Sequence, residues 1–260
     1  MKKYFITYGD EKYEKSKLRI VKQAESLNLF DKIIAYNPTV LTQRTKESSI
    51  MRISRGGGLW IWKPDIIYQT LETMSDGDYL FYCDAGCTLQ KSKEWNKYFS
   101  ILSDYDICAL KIFNKNINWT RKEIIDFFCK CNGNWLHKRQ CCATIIIIKS
   151  DFTMKFVKEW LDTMIMHPEF VEDVKEEQMK KQLPEFIENR HDQSVYSALI
   201  YKYIYTGKIK IIWEHIEGYD YFNKQAILAS RLRNGEIKAH YGVSNLIKII
   251  SKKVIRLFCQ

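Results

Sequence analysis

The chain has 260 residues, 46% apolar and 14% aromatic, which excludes a disordered segment and suffices for one large α/β domain or two small ones. No stretch reaches the roughly 18 apolar residues of a membrane span, and "MKKYFITYGDEKYEKS" meets charge too early for a secretory signal, so a soluble or peripheral protein is expected. The formal charge of +10, from 41 Lys and Arg against 31 Asp and Glu, admits nucleic acid, anionic lipid or a phosphorylated small molecule as partner.

In chain order, "KYFITYG" (Lys3–Gly9) reads as a buried strand ending in a glycine turn. "EKSKLRIVKQAESLNLF" places Leu18, Val21, Ala24 and Leu27 at helical spacing, and "DKIIAYN" is a second short strand. This β-α-β opening predicts a parallel sheet. A polar helix over about 42–54, the loop "RGGGLWIWKP" (Arg55–Pro64), a helix from Pro64 to about Met74 and a strand Tyr79–Cys83 follow. "YDICAL" (105–110) and "CATIIIIK" (142–149) are strand-like, and "SDFTMKFVKEWLDTMIM" is a helix with Ser150 or Asp151 as N-cap. An acid-rich segment (168–189), the helix "RHDQSVYSALIYKYI" and the late strand "IKIIWE" complete the pattern. No repeat or low-complexity linker appears, so one domain is expected over 1–242, with an appendage over 243–260.

In that appendage Leu246, Ile247, Ile250, Val254, Leu257 and Phe258 fall at helical spacing after Ser244, with Lys248, Lys252, Lys253 and Arg256 mostly off that face. It reads either as a helix docked on the domain or as a basic amphipathic helix lying on an anionic membrane. Eight cysteines without a visible signal peptide predict a reducing compartment and free thiols. Cys129, Cys131, His137, Cys141 and Cys142 could be read as a zinc site but lack its paired Cys-x-x-Cys spacing, and the cysteines read rather as small buried hydrophobes.

Three stretches carry chemistry. "YLFYCDAGC" ends a buried strand on Asp84, where sheet ligands bind; the carboxylate could hold a metal, accept from ribose hydroxyls, or merely cap a turn. "RGGGLWIWKP" offers glycines whose N–H groups could approach an anion, with charge from Arg55 and Lys63 and flat faces from Trp60 and Trp62; alternatively the tryptophans pack inward. "NRHDQSVYSAL" sets His191, Asp192 and Gln193 at a helix N-terminus, with Asp192 as N-cap the local alternative.

Together and in this order these stretches resemble nucleotide-sugar-dependent glycosyltransferases of the GT-A fold, particularly bacterial enzymes of capsule and O-antigen synthesis. The resemblance runs from "FITYGD" to "AHYGV" and implies a Rossmann-like, mixed but mainly parallel sheet flanked by helices. It implies nucleoside binding at Thr7, Tyr8 and Gly9, and donor contacts from Arg55, Gly57, Trp62, Lys63, Asp84, Ala85, Gly86 and Arg121. The family's Asp-x-Asp is here Asp84-Ala85-Gly86, without the second acid. A divalent metal (Mn²⁺ or Mg²⁺) is implied at Asp84 with His240 of "KAHYG". "HDQS" resembles a motif of retaining enzymes, which implies catalytic roles for His191, Asp192 and Gln193; "QCCATIIIIK" would bring Gln140 close to the sugar.

The resemblance further implies a UDP-hexose donor such as UDP-galactose and a lipid-linked saccharide acceptor at the inner face of the cell membrane, with retention favoured over inversion. A sugar nucleotidyltransferase is the nearer rival, although "FITYGDEKYEK" lacks its Gly-rich basic opening. A nucleic-acid-binding protein is the other; the basic excess is dispersed and no binding motif is present, so no nucleic-acid partner is expected.

Overall fold

The computed structural model describes residues 1–129, 133–214, 216 and 225–232. The expected C-terminal helix (243–260) and His240 lie outside the described residues.

The strands are β1 (Lys3–Tyr8), β2 (Lys32–Tyr36), β3 (Tyr79–Tyr82), β4 (Thr88–Leu89), β5 (Ile107–Lys115), β6 (Arg139–Cys141), β7 (Ile145–Ile148), β8 (Ile209–Trp213) and β9 (Ile227–Leu228). Seven form one sheet of order β2-β1-β3-β7-β5-β6, with β8 also on β5, and β4 pairs with β9 apart from it. β2, β1 and β3 are parallel, and β8 is parallel to β5. β7 runs against both β3 and β5, and β6 runs against β5, so the sheet is mixed but mainly of one direction.

Side-chain alternation explains why the strands read as unbroken apolar runs. Along β3, Leu80 and Tyr82 enter one core while Tyr79 and Phe81 enter the other. Ile145 and Ile147 oppose Ile146 in the same way along β7. A strand buried on both faces needs apolar residues at every position. The first face is covered by α2 (Trp62–Glu72), α4 (Lys122–Cys129), α5 (Asp151–Met166) and α6 (Asp192–Lys202). The second is covered by α1 (Glu14–Leu27) and α3 (Glu94–Asp104).

Several expectations needed correction. α1 buries Ser16, Lys17, Ile20 and Ala24, while Leu18 is exposed. Its inner face is partly polar because Lys17 Nζ donates to the Gly9 carbonyl at 3.3 Å and Ser16 Oγ to that of Leu232 at 3.0 Å. The polar helix expected over 42–54 is a short helix, Gln43–Glu47, and a separate 3₁₀ turn, Ser49–Arg52, broken where Ser48 turns extended (ψ 136°). Ser150 is the N-cap of α5, accepting from the Thr153 N–H at 3.2 Å. Helices α3 and α4 and strand β6 add to the elements expected from pattern.

Candidate functional site

Three strand ends meet at one edge of the sheet. β1 leads into Gly9 and Asp10, and β3 leads into Asp84–Gly86. Tyr82 pairs with Ile145 on antiparallel β7, so the residues before β7, Cys142–Thr144, arrive at the same edge. The first turns of α2 and α6 close on them. The result is a cavity of about 530 Å³ whose walls include Tyr8, Trp62, Lys63, Asp84, Asp192 and Gln193.

The glycine stretch forms one wall in an unexpected way. Gly56, Gly57, Gly58, Leu59 and Trp60 have φ of 61°, 58°, 93°, 48° and 63°, a single left-handed turn. A Cβ on Gly56 would lie 2.7 Å from the Trp60 ring, and one on Gly58 would lie 2.5 Å from Met51 Sδ. The N–H groups of Gly57, Gly58 and Leu59 are spent on the carbonyls of Ser54, Ile53 and Arg55 at 3.2, 2.9 and 2.9 Å. Those three amides therefore do not cradle an anion, contrary to the sequence expectation. The turn instead aims two tryptophans. Trp62 stacks on Tyr8 with ring centroids 3.9 Å apart and donates from Nε1 to the Gly56 carbonyl at 2.9 Å. Trp60 packs 5.2 Å from the His191 ring.

Lys63, in the first turn of α2, is the centre of charge. Its ammonium lies 2.7 Å from Asp192 Oδ2 and 3.3 Å from Asp84 Oδ1, with the Lys63 and Asp192 side chains only 3% and 7% exposed. Burial alone would lower the Lys63 pKa; the two carboxylates outweigh it and hold the lysine above its ordinary value, firmly charged. Burial pushes the Asp192 carboxyl up, and Lys63 pulls against that shift. Asp84 is 49% exposed and also accepts from the Tyr82 hydroxyl. Neither aspartate is a simple cap: Asp192 is the first helical residue of α6, behind His191 at the N-cap position, and its carboxylate turns to Lys63.

His191 adopts φ 51°, ψ −125°, a conformation rare outside glycine. Its Nδ1 lies 2.6 Å from the Val171 carbonyl, which can only accept, so Nδ1 carries the proton and the neutral ring keeps a lone pair on Nε2. Burial lowers its pKa. Arg55 lines the cavity but grips Asp173 with one nitrogen at 2.6 and 2.8 Å.

The other expected residues divide. Gly9, Gly57, Ala85 and Gly86 line the cavity. Thr7 does not; it donates to the Cys83 carbonyl at 2.8 Å and ties β1 to the end of β3. Gln140 is fully buried one step behind the wall, bonded to Gln193 at 2.9 Å. Arg121 is not brought to the site. Its guanidinium is buried, bonds Glu123 at 2.9 and 3.0 Å, and donates to the carbonyls of Glu169 and Glu172. Pattern reading passed over Asp10, Lys12, Ser54, Thr144, Arg190 and Arg231, which also line the cavity. Asp10 and Lys12 follow the first strand closely and were open to the same argument as Gly9; nothing local marks Arg231.

A divalent ion needs several oxygen or imidazole donors around it. Among the described residues no group of three His, Cys, Asp or Glu is gathered for one. A cation at Asp84 would meet the Lys63 ammonium where a second carboxylate is needed. The described donor set does not fit a divalent metal.

No protein-family model matches the chain. No curated protein matches it either. Among solved structures, the chain is similar to the apo form of the bifunctional glycosyltransferase WbbM, with TM-score 0.45 and 10% identity over 80% of this chain and 38% of that one. It is similar to mouse xyloside xylosyltransferase 1, with TM-score 0.43 and 7% identity over 81% and 85%. It is similar to the galactosyltransferase LgtC in complex with donor and acceptor sugar analogues, with TM-score 0.37 and 14% identity over 80% and 72%.

Proposed function

We propose that this chain is a glycosyltransferase that moves a sugar from a nucleotide-diphosphate sugar to a saccharide acceptor. The observation that carries the reading is the pair of carboxylates, Asp84 and Asp192, held on one buried ammonium at the carboxyl end of β3. Carboxylate oxygens accept hydrogen bonds from hydroxyls, so this floor suits a polyhydroxylated ligand. Lys12, Arg55, Arg190 and Arg231 on the surrounding walls suit a diphosphate. The Tyr8–Trp62 stack supplies a flat surface beside them for a nucleobase.

In the proposed reaction the acceptor hydroxyl oxygen bonds to the anomeric carbon while the bond from that carbon to the diphosphate oxygen breaks. The hydroxyl proton passes to the departing diphosphate. Lys63 and the basic wall stabilise charge growing on the leaving group, and Asp192 orients sugar hydroxyls. Preorganised charge of this kind supplies the largest share of most rate enhancements. Gln193 is too weak a nucleophile to form a covalent intermediate, so a retaining reaction would proceed by attack from the departing face. A UDP-hexose is the proposed donor.

A panel of UDP, GDP and CDP sugars, each with EDTA or with Mn²⁺, tests the donor by thermal shift. Ligand at a hundred times its dissociation constant stabilises a fold by about 2.7 kcal/mol. No shift with any sugar nucleotide would remove the reading. Release of UDP on turnover supports transfer, whereas formation of UTP with added pyrophosphate would indicate the nucleotidyltransferase alternative. Contact with an anionic membrane rests on the sequence pattern of Ser244–Gln260 and is tested by co-sedimentation with anionic vesicles; a lipid-linked acceptor rests on the resemblance.

A further inference from the structure

Behind the cavity wall, Gln140 in β6 and Gln193 in the first turn of α6 form a directed pair of amides. Gln140 is fully buried, as are its neighbours Thr120 and Ser194. Gln140 Nε2 lies 3.0 Å from the Trp119 carbonyl oxygen, 3.1 Å from Thr120 Oγ1 and 3.4 Å from Ser194 Oγ. A backbone carbonyl accepts and never donates, so the end of Gln140 that meets Trp119 is its NH₂. The Ser194 hydroxyl gives its own proton to the same carbonyl at 2.8 Å, which leaves its lone pairs for others.

That chemistry sets the rest. Oε1 of Gln140 faces outward and accepts from Gln193 Nε2 at 2.9 Å. Gln193 lines the cavity, and its Oε1 has no hydrogen-bond donor among the described residues. A second buried linkage keeps β6 and α6 in register: Ser197 Oγ accepts from the Cys141 N–H at 3.1 Å and donates to Asn116 Oδ1 at 2.9 Å. Apolar side chains could hold a strand against a helix. A fully satisfied polar network does something they cannot, which is to choose which end of an amide points where.

We infer that Gln140 is a positioning residue that presents the carbonyl oxygen of Gln193, and not its NH₂, to the cavity. The inference rests on the glycosyltransferase reading above for its consequence. With Asp84 and Asp192, the Gln193 oxygen completes a wall of hydrogen-bond acceptors. Such a wall takes an acceptor hydroxyl or the positive charge growing at an anomeric carbon, and leaves a phosphate to the basic residues that also line the cavity.

The test uses the full chain, with UDP-galactose turnover read as UDP release and UDP alone as the binding probe. Gln140→Leu should lower kcat at least tenfold with UDP affinity unchanged, and should have no further effect on kcat in a Gln193→Ala background. Gln140→Glu gives a second readout. Its protonated carboxyl still donates to Trp119 and its carbonyl still accepts from Gln193, so activity should persist at low pH and fall as pH rises, where the wild type holds steady. Side-chain amide NMR provides a readout free of turnover: one Gln193 NH₂ proton should resist exchange in the wild type and lose that protection in Gln140→Leu. Additive effects of the two substitutions on kcat, or rapid exchange of both Gln193 amide protons in the wild type, would overturn the inference. If no nucleotide sugar is turned over by the wild type, the functional reading falls, and the exchange measurement still decides the orientation of Gln193. If Gln140→Leu fails to fold, Gln140→Glu and the wild-type exchange rates decide it.

Discussion

Lys63 Nζ and Asp192 Oδ2 lie 2.7 Å apart with both side chains almost wholly buried, one at the start of α2 and the other at the start of α6. The pair pins two helices to each other at the edge where the strands end. Removing one member of a buried pair leaves the other charge without a counter-charge, commonly a loss of about 3–5 kcal/mol. Lys63→Met is therefore expected to lower the denaturation midpoint sharply. Lys63→Met combined with Asp192→Asn should recover much of that loss, as measured by urea unfolding, because no buried charge remains. Equal stability of the single and double variants would show that Asp192 is neutral in the fold.

Asp84 behaves differently because half of its carboxylate is open to the cavity. Asp84→Asn keeps the shape and removes the charge. Stability should change little, while donor turnover should fall by about 10² to 10³, the usual size of a lost electrostatic contact at a reacting centre. A variant with full turnover would reduce Asp84 to a partner of Tyr82 and Lys63.

The left-handed turn predicts an order among three glycines. Gly57→Ala meets only Trp62 Nε1, at 3.6 Å, and should cost about 1–2 kcal/mol, the penalty of that backbone for an L-residue. Gly58→Ala should cost more, since its new methyl lies 2.5 Å from Met51 Sδ and 3.0 Å from Met51 Cα. Gly56→Ala should displace Trp60 and so disturb the wall against His191. Thermal unfolding and tryptophan fluorescence separate these outcomes.

Arg121 gives the acid sensitivity of the fold a specific source. Its side-chain hydrogen bonds are the largest influence on Glu123, whose pKa is lowered from 4.5 to about 2. A carboxylate depressed in the folded state adds stability that is fully present above its unfolded value and is lost as pH falls through its folded one. Wild-type stability should therefore fall as pH drops from about 4.5 towards 2, and Glu123→Gln should flatten that part of the profile. Arg121→Met should lower stability at neutral pH by about 3 kcal/mol and leave nucleotide affinity unchanged, since the guanidinium is spent on Glu123 and on carbonyls of the 169–172 segment. A selective loss of nucleotide binding would return Arg121 to the site.

Much of the layout was legible in local pattern. The apolar runs of Tyr79–Tyr82 and Ile145–Ile148 identify strands covered on both faces, and a carboxylate just past such a strand falls where sheet ligands bind. That logic singles out Asp84, whereas Asp192 and Gln193 stand out by their place at a helix N-terminus and by the motif they resemble; all three face one cavity. Periodicity reports which way a side chain leaves its own element, because that depends on repeat lengths of 2 and 3.6 residues. The partner waiting there depends on which distant segments the crossovers bring together. Arg121 shows the difference: its local sequence resembles a site cation, while the 169–172 carbonyls that consume its donors lie far along the chain. The pairing of Lys63 with both aspartates, the direction of the Gln140–Gln193 amides and the closure of the glycine amides on Ile53–Arg55 were likewise decided only in three dimensions. Each is a choice among hydrogen-bond partners, made where burial leaves a charge or an amide few groups within reach.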